Sequence, residues 1–301
     1  MKYIGQYLSE YFKQESARYI LFIAAILSVL IYFNYQYHLD SQYAKHLSNL
    51  SRFIYYFILF LGIYVISFIS QKFFHKKQAP LSQKAIAFIL ITPALFAFRI
   101  SFALHEPLIR LFSDAQYLNY NLLIFGWVIR ALVVMIPIYF YWIKFDRGRQ
   151  PLYGTTRSQS LKPYFLLLGF IIPILLLSFR DPHMFNYYPR VKILFNVPGA
   201  SFLRYLIFEC CYGFDFLSIE FFFRGFLILA LARELGPRLI IPMAAFYCTI
   251  HFGKPLPECI SSFFGGIFLG AISYRTKSIW GGLVMHLGIA WFMELAGIFL
   301  R

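Results

Sequence analysis

Residues 121–143 read NLLIFGWVIRALVVMIPIYFYWI, a run of apolar side chains in which Arg130 is the one charged residue. A helix of about 20 apolar residues is long enough to cross the hydrocarbon core of a bilayer. The run is continuous rather than alternating, which favours a transmembrane helix over a strand of a membrane barrel. This stretch predicts a helical membrane protein.

The composition of the whole chain agrees with that prediction. Of its 301 residues, 60% are apolar, 21% aromatic and 14% charged, whereas about 25% of the residues of a soluble domain are charged. A soluble domain of this size could not bury so much apolar surface. The composition therefore excludes a soluble enzyme, a disordered chain, a collagen-like chain and a disulfide-stapled secreted module.

Apolar segments follow one another along most of the sequence. They lie at about 19–36, 53–70, 86–104, 121–143, 163–179, 200–232, 239–252, 258–274 and 279–299. The segments at 239–252 and 258–274 are short for a span, and 200–232 is long enough to bend or break, with Gly213 as a plausible place. We predict an all-α polytopic transmembrane helical bundle of about eight to nine spans.

The ends of the segments suggest how the chain is organised. Residues 1–18 mix charged with apolar and aromatic side chains, which predicts an amphipathic surface helix rather than a cleavable signal. A polar loop at 144–162 separates an N-terminal group of transmembrane helices, 1–162, from a C-terminal core, 163–301.

The net charge of +15 has a membrane explanation. With the N-terminus in the cytoplasm, the inner loops carry about twice as many Lys and Arg residues as the outer loops, as the positive-inside rule requires. Basic loops also attract anionic lipid headgroups. We expect an integral membrane protein of a bacterial plasma membrane with a cytoplasmic N-terminus and no nucleic-acid partner, because no basic–aromatic groove or nucleic-acid motif is present.

Ionisable residues are concentrated in the last third of the apolar segments. The first five segments contain Arg99 and Arg130, whereas those from residue 200 onward contain Arg204, Glu209, Asp215, Glu220, Arg224, His251, Glu258, His286 and Glu294. A charge in the middle of a bilayer costs roughly 2.5–3.5 kcal/mol on an insertion scale. Such residues persist when they are paired, face water or carry out chemistry, so the last third is the expected functional region.

Three short motifs in this region contain groups that could activate water. Glu220 and Arg224 are four residues apart and share a helix face, as do Tyr247 and His251, and His286 follows a Gly-Gly pair. A carboxylate can act as a general base, and imidazoles can bind a metal or stabilise an oxyanion. Each motif also has a plainer explanation, namely a structural ion pair or a hydrogen bond between helices.

The order of these motifs resembles the CPBP intramembrane proteases, the group of the CAAX prenyl protease 2 and the bacterial Abi or bacteriocin-processing homologues. The family pattern is Glu-Glu-x-x-x-Arg, then Phe-x-x-x-His, then His-x-x-x-Asn or Asp. Glu220 and Arg224 match the second Glu and the Arg, and His251 and His286 match the two histidines. The resemblance covers about residues 200–299 and implies an intramembrane protease core.

The sequence departs from the family pattern at three positions. Ile219 stands where the first Glu, the presumed base of the family, is expected; Tyr247 replaces Phe, and Ala290 replaces Asn. Another carboxylate must then serve as the base of an active enzyme. We predict that Glu220 and Glu258 both line the site and that Glu220 is the base.

The leading hypothesis is an intramembrane endopeptidase that cleaves a membrane-embedded or lipidated peptide or protein within the lipid bilayer. Its expected catalytic residues are Glu220, Arg224, His251, His286 and Glu258. The resemblance implies a divalent metal, zinc, on Glu220, His251 and His286, although a metal-free glutamate mechanism is equally consistent with these residues. The alternatives are an inactive pseudoprotease that acts as a membrane scaffold or immunity protein, and a proton-coupled transporter. Convergence of Glu220 and the two histidines on one cavity would favour chemistry.

Overall fold

The computed structural model describes residues 2–75, 80–156 and 160–300, which are arranged as a bundle of helices. The main helices are α1 (Lys2–Gln14), α2 (Ala17–Gln36), α3 (Asn49–Phe74), α4 (Gln83–Ser101), α5 (Glu106–Phe112), α6 (Leu118–Tyr141), α7 (Lys162–Ser178), α8 (Pro182–Tyr187), α9 (Phe202–Glu220), α10 (Ile240–Thr249), α11 (Leu256–Thr276) and α12 (Trp280–Phe299). Shorter pieces are the π-helical turns Leu39–Tyr43, Trp142–Asp146 and Phe221–Phe226, the 3-10 turns Ala115–Tyr117, Arg190–Leu194 and Gly236–Leu239, and the single turns Ala44–His46, Leu227–Leu229 and Ala232–Leu235.

The described residues include six helical stretches that are long and apolar enough to cross a membrane. They are Ala17–Gln36, Asn49–Phe74, Gln83–Phe112, Ala115–Asp146, Leu256–Thr276 and Trp280–Phe299. The predicted polytopic all-helical fold is confirmed, and the chain is an integral membrane protein. The number of clear spans is lower than the predicted eight to nine because α7 and α10 are short, and α9 carries several charged residues.

The long segment at 200–232 does not break at Gly213. Helix α9 runs through that glycine and continues into the π-helical turn Phe221–Phe226. A Cβ atom added to Gly213 would lie 3.4 Å from both Leu287 and Trp291, so the glycine accommodates α12 beside α9. The irregular turn comes immediately after Glu220, and π-helical insertions of this kind occur frequently at functional sites.

Helix α10 is the centre of the bundle. All ten of its residues are buried, and it packs between α3 and α11. The ring of Phe246 lies within 6.0 Å, centroid to centroid, of the rings of Phe60, Phe96, Phe222 and Phe223. This aromatic packing fixes α10 against three other helical segments and so fixes the position of the turn that follows it, which carries His251.

The predicted amphipathic N-terminal helix is present as α1. Ile4 and Tyr11 are buried, whereas Tyr3 and Phe12, which flank this buried face on its two sides, are largely exposed. The helix packs along α11, and Glu10 forms an ion pair with Arg275. One face of α1 is thus used for packing on the bundle, and the other face remains available to the membrane surface.

Candidate active site

Glu220 and Arg224 form the buried ion pair that their spacing predicts. Both side chains are completely buried, and Oε1 of Glu220 lies 3.2 Å from Nη1 of Arg224. The same carboxylate oxygen lies 3.0 Å from Nδ1 of His286, which reaches it from α12. Two of the predicted motifs therefore meet at Glu220.

The motif around His251 contacts Arg224 and His286 through Tyr247. The hydroxyl of Tyr247 lies 3.3 Å from Nε2 of His286, and the guanidinium of Arg224 lies 3.9 Å above the Tyr247 ring. One turn further along, Nδ1 of His251 lies 2.9 Å from the backbone oxygen of Tyr247. Residues from α9, α10 and α12 thus form one continuous set of contacts.

These side chains border a cavity of about 410 Å³. Arg224, Tyr247, His251 and His286 line it, together with Glu258 from the start of α11. Glu220 lies behind this wall, fully buried and without a surface in the cavity. The structure therefore places Glu258 at the cavity and Glu220 behind its wall, where Arg224 and His286 contact the Glu220 carboxylate.

Glu258 is held in place at one end of the cavity. Its Oε1 accepts a hydrogen bond from the ammonium of Lys254 at 3.0 Å, and its Oε2 accepts one from the hydroxyl of Tyr188 at 2.9 Å. Lys254 also lies 4.9 Å from the centre of the Tyr187 ring. These contacts fix a carboxylate close to the histidines with a cation at its side.

The cavity opens between α7 and α11. Ile174 of α7 lines the cavity and yet is 65% exposed, and Ser261 of α11 lines it and is also exposed. A Cβ atom added to Gly265 would meet no atom within 4 Å, so the space beside this residue is empty. Both helices are apolar and α11 is long enough to span a bilayer, so we expect this opening to face the lipid.

The turn that carries His251 is held by the N-terminal helices. The side-chain amide of Asn34 donates to the backbone oxygen of Phe252 at 2.9 Å. The hydroxyl of Tyr35 donates to the backbone oxygen of Lys254 at 2.6 Å. Asp40 lies directly against Gly253, where any Cβ atom would overlap its carboxylate. The N-terminal part of the chain therefore contributes to the position of His251, which sequence motifs alone did not indicate.

The comparisons with known proteins agree with this geometry. Residues 199–292 match the family model of the Rce1-like type II CAAX prenyl endopeptidases. This segment is similar to the CAAX-protease family. The match covers less than half of the chain, and it contains every predicted site residue. Neither the curated proteins nor the solved structures gave a match.

Several other charged residues of the matched segment, residues 199–292, have structural partners. Asp215 forms an ion pair with Arg99 of α4, and the carboxylate of Glu294 accepts hydrogen bonds from the backbone N–H groups of Arg190 and Val191 at 2.7 and 3.0 Å. Glu294 thereby supplies hydrogen-bond acceptors for the backbone N–H groups at the start of the 3-10 turn Arg190–Leu194. These residues stabilise helix packing and do not reach the cavity.

The predicted metal ligands do not fit a zinc ion in this arrangement. In the described part of the chain, no group of three or more His, Cys, Asp or Glu side chains is close enough to hold a metal. Both ring nitrogens of His286 already have partners, in Glu220 and Tyr247. Glu220 also lies next to the guanidinium of Arg224, whose charge disfavours a second cation at that carboxylate.

Sequence reasoning missed the residues that hold the site from a distance. Tyr188 and Lys254 bind Glu258, and Asn34 binds the turn after His251. Asn34 and Phe252 are 218 positions apart in the sequence, so no local spacing could have connected them. The one available signal was Lys254 four residues before Glu258, the spacing at which opposite charges meet on a helix.

Proposed function

We propose that the protein is an intramembrane endopeptidase that hydrolyses a membrane-embedded or lipid-attached peptide. The observation that carries this proposal is the convergence of His251, His286 and Glu258 on one cavity that opens between two apolar helices. A cavity with an apolar wall and a few fixed polar groups is typical of a binding site. The CAAX-protease match at residues 199–292 supports the reaction class.

Glu258 is the base that this geometry favours. It is the carboxylate that faces the cavity, whereas the carboxylate of Glu220 is engaged by Arg224 and His286 behind the wall. In the proposed reaction a water molecule gives a proton to Glu258 as its oxygen attacks the peptide carbonyl. The C–N bond then breaks, and the proton passes to the leaving amine.

Arg224 is placed to assist that reaction. Arg224 lines the cavity; its Nη1 atom faces the Glu220 carboxylate at 3.2 Å, whereas its Nε and Nη2 atoms are buried without a hydrogen bond to the described residues. Buried donors of this kind require an acceptor, and a substrate carbonyl oxygen would supply one. As negative charge develops on that oxygen, the guanidinium would stabilise it.

Two features favour a second candidate, a pseudoprotease that binds a membrane peptide without cleaving it. Ile219, at the position of the base expected for the family, packs against apolar clusters of the core. Glu258 is also bound by Lys254 and Tyr188, contacts that a purely structural carboxylate would make as well. This candidate uses the same cavity and predicts binding without turnover.

Reconstitution in liposomes with a pool of fluorescent single-span and lipid-modified peptides separates the two candidates. An endopeptidase releases fragments, and both Glu258→Gln and His251→Ala abolish their release. A pseudoprotease binds peptides from the pool, and none is cut by the wild-type protein. Parallel reactions with and without a chelator show whether hydrolysis depends on a metal.

A further inference from the structure

We propose that Tyr247 gives the two histidines of the cavity different roles, by fixing His286 through its hydroxyl and His251 through its backbone oxygen. The proposal rests on the proposed function for its catalytic meaning. The hydrogen bonds themselves can be tested without any assay of proteolysis.

The protonation pattern of His286 follows from its partners. Oε1 of Glu220 belongs to a carboxylate paired with Arg224, and a carboxylate accepts hydrogen bonds. Nδ1 of His286 therefore carries the hydrogen. In a neutral imidazole Nε2 then has the lone pair, so the hydroxyl of Tyr247, 3.3 Å away, is the donor. Both nitrogens of His286 are occupied.

The protonation pattern of His251 follows in the same way. A backbone oxygen can only accept, so Nδ1 of His251, 2.9 Å from the oxygen of Tyr247, carries the hydrogen. Nε2 then has the lone pair, and it has no hydrogen-bond partner among the residues that the structure describes. His251 lines the cavity. His251 is therefore the imidazole with an unpartnered ring nitrogen at the cavity, whereas His286 is a fixed support.

Tyr247 is well placed to hold this arrangement. Its side chain is 5% exposed, its ring lies 3.9 Å beneath the guanidinium of Arg224, and it contacts the ring of Phe223 at a centroid distance of 5.1 Å. These contacts leave the ring little freedom, so its hydroxyl has a defined direction. Phenylalanine at this position would keep the ring contacts and lose the hydrogen bond, which makes Tyr247 a positioning residue.

Nitrogen NMR of the full-length protein, labelled with ¹⁵N-histidine in detergent micelles, tests the proposal directly. His251→Asn and His286→Asn variants assign the signals. In the wild-type protein both rings are expected to carry hydrogen on Nδ1, and the Nε2 signal of His286 should show a hydrogen bond that Nε2 of His251 lacks. An assigned spectrum with hydrogen on Nε2 of His286 would overturn the proposal. A wild-type spectrum in which no histidine carries hydrogen on Nδ1 would also overturn it, and that result requires no variant to fold.

The Tyr247→Phe variant is expected to shift the His286 Nε2 signal to the position of a nitrogen without a donor. Phe216→Leu is the matched control, because Phe216 contacts the same imidazole at a centroid distance of 4.4 Å and offers no hydrogen bond. Its His286 should keep the wild-type protonation pattern. An unchanged His286 Nε2 signal in folded Tyr247→Phe would contradict the proposal.

Hydrolysis of the fluorescent peptide pool gives the catalytic readout. Tyr247→Phe should lower kcat by about 10²-fold with little change in KM, because His286, which borders the cavity, loses its hydroxyl donor and shifts by about 1 Å. Tyr64→Phe, which removes a buried hydroxyl from a residue that does not line the cavity, should leave kcat unchanged. The predicted NMR pattern with no hydrolysis by wild type would refute the proposed function alone. If the wild type hydrolyses the peptides and Tyr247→Phe changes neither the His286 Nε2 signal nor kcat, this inference alone is refuted.

Discussion

Oε1 of Glu220 lies 3.0 Å from Nδ1 of His286, so a carboxylate on α9 and an imidazole on α12 are bound to each other inside the protein. The other carboxylate oxygen rests against Gly282 of α12, where a Cβ atom would overlap it. Gly282, the second glycine of the pair that precedes His286, therefore has a structural purpose. It lets α12 approach Glu220 closely enough for the contact to form.

Gly282→Ala should destabilise the protein by about 1–3 kcal/mol, the usual cost of an added group in a packed interior. The new methyl group would push the Glu220 carboxylate away from His286. Thermal unfolding in detergent measures the effect. Gly62→Ala is the control, because a Cβ atom at Gly62 in α3 meets open space. Equal melting temperatures for Gly282→Ala and wild type would mean that this close approach is unimportant.

Arg224→Ala should cost about 3–5 kcal/mol of stability, because it leaves the buried Glu220 carboxylate without its cation. Arg110→Ala is a matched control, since Arg110 and Glu106 have the same four-residue spacing on an exposed helix face. Removing that pair should cost about 1 kcal/mol or less. Chemical denaturation of both variants compares the two losses, and a similar small loss in both would show that the buried pair is incidental.

Gly265→Leu should close the opening between α7 and α11, because a leucine side chain would occupy the empty space beside this residue. Cleavage or binding of bilayer-embedded peptides should fall by at least about tenfold, while the melting temperature stays near that of wild type. Gly62→Leu places the same side chain in open space on α3 and should change neither property. Unaltered peptide access in Gly265→Leu would show that substrates use another route.

Asp40 should make the stability of the protein depend on pH. It lies outside the spans, and burial raises the pKa of its carboxyl above the ordinary value of 3.8, although a hydrogen bond from Tyr56 and the charge of Lys45 act in the opposite direction. A raised pKa in the folded state means that protonation favours folding, so this contribution is present below pH 3.8 and is lost as the pH rises through the folded-state pKa.

Asp40→Asn removes that titration and can still accept the hydrogen bond from Tyr56 through its amide oxygen. The melting temperature of Asp40→Asn, measured from pH 4 to pH 7, should therefore decline less than that of wild type. Parallel curves for the two proteins would show that the Asp40 carboxyl does not titrate with a raised pKa.

The sequence predicted the parts of the molecule that local patterns determine. Apolar run lengths gave the membrane fold, and four-residue spacing gave the pair of Glu220 and Arg224, which is confirmed. Spacing could not give the direction of the helix face that carries Glu220. That direction depends on how α9 packs against α4, α6 and α12, and it puts this carboxylate behind the cavity wall.

Glu258 shows the same limit of prediction from local sequence patterns. Glu258 was predicted to line the cavity, and it does, but its partner Tyr188 lies 70 residues earlier in a loop with no recognisable motif. The turn after His251 is likewise held by Asn34 and Tyr35 of α2. Contacts between distant segments depend on the packing of the whole bundle, and single-sequence patterns do not contain them.

The rate of peptide hydrolysis by Glu258→Gln, compared with wild type in the same liposomes, tests the central claim most directly. Glutamine preserves the shape of the side chain and cannot take a proton from water, so the rate should fall by about 10²–10⁴-fold. Circular dichroism and the melting temperature establish that the variant is folded, and Glu106→Gln on the exposed helix α5 serves as the control. A folded Glu258→Gln protein that cleaves at the wild-type rate would contradict the assignment of the cavity carboxylate as the catalytic base.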